Sequence, residues 1–405
     1  MSARILMVLP EFYPDDIRVS KEIRALQSAG YTIHLLCYKR TNEDLEEVIN
    51  GVEITRVNGA STFNQKGITD ILTAIFFIHP YFLKGLRAVK RNHEFQAIHV
   101  HDLPLFRTAK RVFKHIPIIL DMHENYPEAM KVWFQWKKNP LIRLKNRIFF
   151  GFNRWSRFEK KALRKADRVI AVVDEMKDRA IAQDSTLDES KFQVVSNTEE
   201  VSFLNQTLDQ EVFKEYAGKF IISYTGNVGP HRGVDTLIKS AKYLKDLAEI
   251  QLLIIGKLSN DTQDHLKKLI QAEELSNVEL WGYRPFDKFY SYMKQSSINV
   301  IPHNRNGHTD HTIPHKLFQA MMCNRPVIVS DCKPLNRVVS QSHSGLIFKA
   351  NDAEDLAKRI RELYEDRNLY QTVAKNGFEA TVKGQLNWEH EGKKLISMYQ
   401  SIMNT

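Results

Sequence analysis

The chain has 405 residues, 43% apolar and 26% charged, with a formal net charge of +10. That length exceeds what one hydrophobic core usually fills, so two domains are expected of an ordinary folded protein. Its three cysteines, Cys37, Cys323 and Cys332, show no CxxC spacing, which argues against a disulfide or zinc framework and fits buried thiols in a reducing compartment.

Taken in chain order, residues 1–10 read as a first strand, because their apolar run is too short for a signal peptide. Strand-like runs follow at 32–38, 97–100, 116–121, 168–173 and 193–195, separated by segments of helical period. The most apolar later stretch, 71–86, is broken by His79, Pro80 and Lys84, short of the roughly 18 clean residues a spanning helix needs. Residues 197–219 are polar and lack a strand run. Beyond them come runs at 220–224, 251–255, 278–281, 298–301, 326–330 and 345–348, then helical patterns at 352–365, 369–381 and 388–403. This alternation predicts two α/β halves, each a doubly wound parallel sheet.

The basicity is local. Residues 131–168 hold 13 Lys or Arg against Glu159 and Asp167, so the remaining chain sums to about −1. Eight aromatics, including Trp133, Trp136, Phe150 and Trp155, are interleaved with these cations. Such a segment is either a solvated helix with its aromatics in the core or a surface for an anionic membrane, with Lys137, Lys138, Arg143 and Lys145 in contact. No nucleic-acid motif accompanies it, so no nucleic-acid partner is expected.

Two stretches carry chemistry. In the first, Gly226, Asn227 and Gly229 lie between a strand run and a helical pattern, where bare backbone N–H groups meet an anion, and Arg232 adds a cation. In the second, Lys316 and Gln319 fall three residues apart on one helical face, which suits a phosphate and a ribose. No apolar-flanked Asp-x-Asp occurs, and Asp15 and Asp16 are adjacent in a proline-containing loop, so no metal site is expected.

These stretches, with 13–22, 29–31, 99–104, 121–128, 166–172 and 387–391, resemble in order and spacing a family 4 glycosyltransferase of the GT-B fold. The resemblance implies two Rossmann-like doubly wound domains facing a cleft: 1–197 with 386–405 on the acceptor side, a linker at 198–219, and a nucleotide-sugar domain at 220–385. It implies transfer of a sugar from a nucleoside diphosphate to a saccharide or lipid-linked acceptor, with retention, without a cofactor, at the inner face of the membrane. His123, Arg232 and Lys316 take the catalytic places, His123 near the reacting carbon and the two cations on the diphosphate. Leu317, Gln319, Tyr283 and Arg284 join Gly226, Asn227 and Gly229 on the donor, while Asp16, Arg18, His101, Asp102 and Glu124 lie on the acceptor side. The family's paired glutamates are replaced by His311 and Gln319, and Asp310 is the neighbouring carboxylate. A nucleotide-sugar epimerase and a catalytically weak binding homologue are the rival readings.

Overall fold

In the computed structural model residues 3–59, 63–134 and 140–404 are described. The chain divides into two compact units, Met1–Ser196 with Gly392–Thr405, and Asn197–Glu391.

The first unit holds an eight-stranded sheet: β1 (Arg4–Phe12), β2 (Thr32–Tyr38), β3 (Glu46–Ile49), β4 (Val52–Val57), β5 (Ala97–His101), β6 (Ile118–Met122), β7 (Arg168–Ala171) and β8 (Phe192–Val194). Their spatial order is β3-β4-β2-β1-β5-β6-β7-β8, parallel except where β3 meets β4. Helices α1 (Ile17–Ser28), α2 (Phe63–Phe76), α3 (Pro80–Asn92), α4 (Phe106–Val112), α5 (Tyr126–Phe134), α6 (Pro140–Phe149), α7 (Phe152–Lys165) and α8 (Asp174–Gln183) join them. Ile5, Leu6, Met7, Val8, Ile119 and Leu120 have no solvent exposure, as a parallel sheet covered on both faces requires.

The second unit repeats the scheme with β9 (Phe220–Thr225), β10 (Ile250–Ile255), β11 (Val278–Gly282), β12 (Ile298–Ile301), β13 (Val327–Ser330) and β14 (Gly345–Phe348), ordered β11-β10-β9-β12-β13-β14. Its helices are α9 (Val234–Ser240), α10 (Asn260–Ala272), α11 (Phe289–Gln295), α12 (Lys316–Met322), α13 (Lys333–Ser342), α14 (Ala353–Glu365) and α15 (Arg367–Phe378), and α16 (Trp388–Met403) passes from this unit into the first. The winding direction reverses between β1 and β5 in one sheet and between β9 and β12 in the other. Each reversal leaves a crevice at the carboxyl ends of those strands, where α/β folds bind ligands.

Two expectations need correction. The hairpin of β3 and β4 was not foreseen, because β3 is short and carries two glutamates, yet Asn50 and Gly51, with φ of 51° and 77°, are the residues a type I′ turn demands. Residues 198–219 are not a linker but part of the second unit. Phe203 packs with Tyr290, Met293 and Met322, and Phe213 with Ile221, Leu253 and Tyr292. The start of α16 also stays there: the Trp388 N–H donates to the Glu199 carbonyl at 2.9 Å and the Val201 N–H to Glu389 at 3.0 Å. Cys37, Cys323 and Cys332 are buried free thiols.

Candidate functional site

In the first unit, three elements converge beside the switch point. Strand period two puts His99 and His101 of β5 on one side, with Asp121 of β6 and His123 just beyond its end, while helical spacing puts Arg18 and Glu22 of α1 on one face. Arg18, Glu22, His99, His101 and Asp121 are all buried. Arg18 meets Asp121 Oδ1 with Nη2 at 3.1 Å and Glu22 Oε1 with Nε at 2.9 Å. The other oxygen of Asp121 accepts from His123 Nε2 at 2.8 Å, and His101 Nδ1 lies 3.2 Å from that same nitrogen. His99 Nδ1 pairs with the Tyr399 hydroxyl of α16 at 2.7 Å, and its Nε2 is 3.4 Å from Asp121.

The charges follow from this geometry. Burial opposes a charged His123, but Asp121 and Asp102 outweigh it and push the imidazole up to about 10. Burial likewise opposes a charged Asp121, and Arg18 and His123 hold it well below the ordinary carboxylate range. Burial, then the charge on Asp121, push Glu22 up. His99 and His101 are pushed down chiefly by burial, His101 to about 3, so both stay neutral. Asp102 has φ 65° and ψ 159°, a conformation that costs a residue with a side chain about 1–3 kcal/mol. Its N–H donates to the Asp121 carbonyl at 2.8 Å, and its carboxylate accepts the His123 N–H at 3.2 Å, which holds the strained turn beneath the imidazole. Ligand atoms of Glu22, His99, His101 and Asp121 lie within 4.8 Å of one another, a set that could take a divalent cation. Arg18 already contacts both carboxylates there.

The second unit presents the opposite electrostatics. Gly233 has φ 63°, and a Cβ there would stand 1.8 Å from the Pro302 carbonyl, so the turn carrying Arg232 packs directly on the end of β12. Arg232 Nη1 lies 3.0 Å from His303 Nε2. Lys316, 8% exposed, donates from Nζ to the Thr225 carbonyl at 3.0 Å, sits 3.8 Å over the Tyr224 ring, and would be 3.3 Å from a Cβ on Gly226. Burial and then Arg232 push Lys316 well down. Burial, Arg232 and neighbouring cationic groups push His231 to about 2 and His308 to about 3, and hold His303 far below its usual value. His231 Nδ1, His308 Nδ1 and Asn304 Oδ1 are buried without a hydrogen-bond partner among the described residues. Among the described residues the charge acting on all of these groups is the Arg232 cation, with no carboxylate named beside it, an arrangement that suits an anion.

Other expected residues fall elsewhere. The Asp16 carboxylate accepts the Val19 N–H at 3.0 Å and caps α1. Gln319, expected on a ribose, is 1% exposed and its Nε2 lies 2.6 Å from Glu199 Oε2, because α12 turns this face into its unit. Asp310 is held by Arg305 at 3.1 Å and accepts the Lys333 N–H at 3.1 Å. His311 Nδ1 lies 2.7 Å from the Gly307 carbonyl. Leu317 is wholly enclosed, leaving only its backbone for a ligand. Asn227 is exposed and its carbonyl accepts from the Tyr224 hydroxyl, while Gly229 lies against His231. Tyr283 is exposed beyond β11, with Arg284 donating to its carbonyl at 3.1 Å, and Glu124 is partly buried beside His123. Arg143 is exposed, whereas Lys137, Lys138 and the Lys145 side chain lie outside the described residues. The roles of Glu22, His99, Asp121, Glu199, His303 and Tyr399 were not foreseen. His99 and Asp121 sit at period two from His101 and His123, a signal that could have found them.

Two family descriptions cover most of the chain: "Glycosyltransferase Family 4" over residues 18–198 and "Glycosyl transferases group 1" over residues 205–380. The chain is similar to the capsular polysaccharide biosynthesis glycosyltransferase CapM of Staphylococcus aureus, 24% identical over 60% of this chain and 64% of that one. It is 30% identical, over 36% of each chain, to the N,N'-diacetylbacillosaminyl-diphospho-undecaprenol alpha-1,3-N-acetylgalactosaminyltransferase of Campylobacter jejuni. The chain thus spans less than two thirds of the length of these curated relatives. Among solved structures, Anabaena HepE in complex with UDP-glucose superposes with a TM-score of 0.72 at 13% identity, over 98% of this chain and 99% of that one.

Glu22 and His123 both hold a proton more tightly folded than unfolded. Their contribution to stability is complete below the ordinary glutamic acid value of 4.5 and is lost as pH climbs toward about 10. The buried histidines held neutral and Lys316 act with the opposite sign, so this contribution is read as the difference between wild type and variant in chemical denaturation across that window. Asp121→Asn will lose less stability than wild type, or gain more, as pH rises, and an unchanged slope in that variant would refute the assignment. Gln319→Leu, which strips the buried Glu199 carboxylate of a donor, will lower stability by about 1–3 kcal/mol; a variant as stable as the parent contradicts the pairing.

Proposed function

Since the chain belongs to the family 4 glycosyltransferases, with the two Rossmann-like units of the GT-B fold, we propose that it moves a sugar from a nucleoside diphosphate to an acceptor hydroxyl with retention. The observation that carries this reading is the second unit's anion pocket. Arg232, Lys316, the buried His303 and His308 and the half-buried His231 converge, and among the described residues no carboxylate figures in the charges acting on the lysine and histidines. A diphosphate leaving group develops negative charge as the glycosidic bond breaks, and cations already in place favour that charge most in the transition state. Protein cations thus do the work here without a metal. The leaving phosphate oxygen takes the acceptor proton on the same face, which needs no pair of catalytic carboxylates. Tyr283 and Arg284 meet the base, and the Gly226–Gly229 backbone meets the phosphates.

In the first unit His123 offers Nδ1 to the transferred sugar, because Asp121 occupies Nε2. A protonated imidazole serves there as a donor to a hydroxyl rather than as a general base. Arg18, His101, Asp102 and Glu124 frame the acceptor side of that imidazole. The acceptor is a saccharide or a lipid-linked saccharide in glycan synthesis, a reading supported by the relative that acts on a diphospho-undecaprenol. No helix of the described residues is long and apolar enough to cross a membrane. The cation-rich stretch at residues 131–168 supports a protein that meets such an acceptor as a cytoplasmic, peripheral enzyme on an anionic surface.

Titration calorimetry tests the donor half. Arg232→Ala will weaken UDP or GDP binding by about 2–4 kcal/mol, and chelator will leave the affinity unchanged. Because the pocket's Lys316 and histidines are pushed down when empty, a bound anion raises them, so binding will take up protons and weaken as pH rises. Nucleotide affinity indifferent to Arg232, or binding restored only by a divalent metal, would overturn the assignment. His123→Ala will lower turnover at least about tenfold, near 1.4 kcal/mol, with nucleotide affinity kept; equal losses of stability and turnover would assign His123 to the fold alone.

A further inference from the structure

Among their described side chains, helices α2 and α6 expose the large apolar ones and bury polar ones. In α2 the buried side carries Thr69, Thr73 and Ala74, while Ile68, Leu72, Ile75 and Phe76 are 59%, 40%, 37% and 55% exposed. In α6, which touches α2, Asn146 is buried and Leu144 and Ile148 are 56% and 58% exposed. Spacings of three and four residues line these side chains into stripes. Six of the thirteen exposed large apolar residues among the described residues lie on these two helices, where a water-facing helix would turn them inward.

The surface bordering these stripes is strongly basic. Right-handed crossovers from β4 to β5, β5 to β6 and β6 to β7 put α3, α4 and α7 on one face of the sheet. These helices carry four, three and six Lys or Arg against a single acid, Glu159, which is buried and clasped by Arg179. A groove of about 390 Å³ between α4 and α7 is lined by Arg107, Lys110, Arg111, Lys161 and Lys165. A second, of about 710 Å³, between α3 and α4 is lined by Lys84, Arg87, Lys90, Arg91 and Arg111. Of these groove cations only Lys110 is ion-paired among the described residues, with Asp167. Arg154 of α7 donates to the Ala74 carbonyl at the end of α2, and Phe77 stacks on Phe158 at 4.0 Å, so the apolar and basic surfaces adjoin.

We propose that α2 and α6 insert their exposed aliphatic stripes into the interfacial layer of an anionic bilayer while the two basic grooves take up lipid phosphate groups. This rests on the peripheral-membrane reading above and extends the contact from α6 and α7, which lie within residues 131–168, to α2, α3 and α4, which lie outside them. An aliphatic stripe alone would equally suit a second copy of the chain, but a copy would bring the same unpaired cations against its twin or leave them unused. Lipid phosphates match the charge and acyl chains match the stripe.

The test is co-sedimentation of the full chain with phosphatidylcholine vesicles, with and without phosphatidylglycerol, across a salt series. Wild type will bind the anionic vesicles. The surface variant Ile68→Gln, Leu72→Gln, Phe76→Gln, Ile148→Gln will lose about tenfold or more in affinity even at low salt, with unchanged thermal unfolding. Arg87→Glu with Arg111→Glu, Lys161→Glu and Lys165→Glu will abolish binding. Tryptophan emission of Phe76→Trp will shift to the blue on binding and be quenched by brominated acyl chains. A glutamine variant that binds like wild type, with no emission shift, overturns insertion while leaving charge-driven docking intact. Wild type that ignores anionic vesicles overturns both readings. Lipid-free self-association that the glutamine variant abolishes would assign the stripes to a second copy and overturn the proposal.

Discussion

A carboxylate with no access to water organises the first unit's site. Asp121 can remain charged in that place only because Arg18 and His123 each grip one of its oxygens. Everything near it is constrained by that need. Arg18 reaches Asp121 because α1 starts at the Asp16 cap, and the imidazole of His123 is oriented because one ring nitrogen is committed to Asp121. The strained backbone at Asp102 persists because the same two strand ends clamp it. Replacing such an ion pair with apolar groups could leave a protein equally stable, so its cost is better explained by what it fixes than by what it stabilises.

The second unit solves a complementary problem by leaving it open. Arg232 and Lys316 are gathered with no carboxylate named among the described charges acting on the pocket, so proton affinities there are suppressed and three polar atoms have no partner among the described residues. In one unit charge is paired in advance, and in the other it is not. Both arrangements stand where the strand order reverses, and the same winding rule built the two crevices.

The sequence made the architecture legible because strand and helix periods are local. Short apolar runs such as Ala97–Val100, one residue short of the strand that forms, and the helical spacing of Trp388–Met403 need no knowledge of distant partners. The charge-bearing turns were legible too, since glycine, arginine and lysine leave few alternatives in such positions. What stayed hidden depends on pairing across the chain. Gln319 looked like a ligand-facing amide until Glu199, 120 residues away, took its nitrogen. Asp16 looked like a binding carboxylate, although an aspartate before a helical run is as readily a cap. Residues 198–219 looked like a linker because burial there depends on isolated phenylalanines rather than on a periodic pattern.

The split membership of α16 bears on how this protein is made. Tyr399 reaches His99 across 300 positions of sequence, and residues 392–405 complete the unit that the N-terminal residues begin. During synthesis the second unit, formed from an unbroken stretch, has all its strands before the first has its last helix. The first unit must therefore wait on the ribosome with the pocket around His99 unfilled, and long-range closure of this kind is slow. Completion order thus differs from synthesis order, and a polypeptide that lacked residues 392–405 would lack a helix of its first unit.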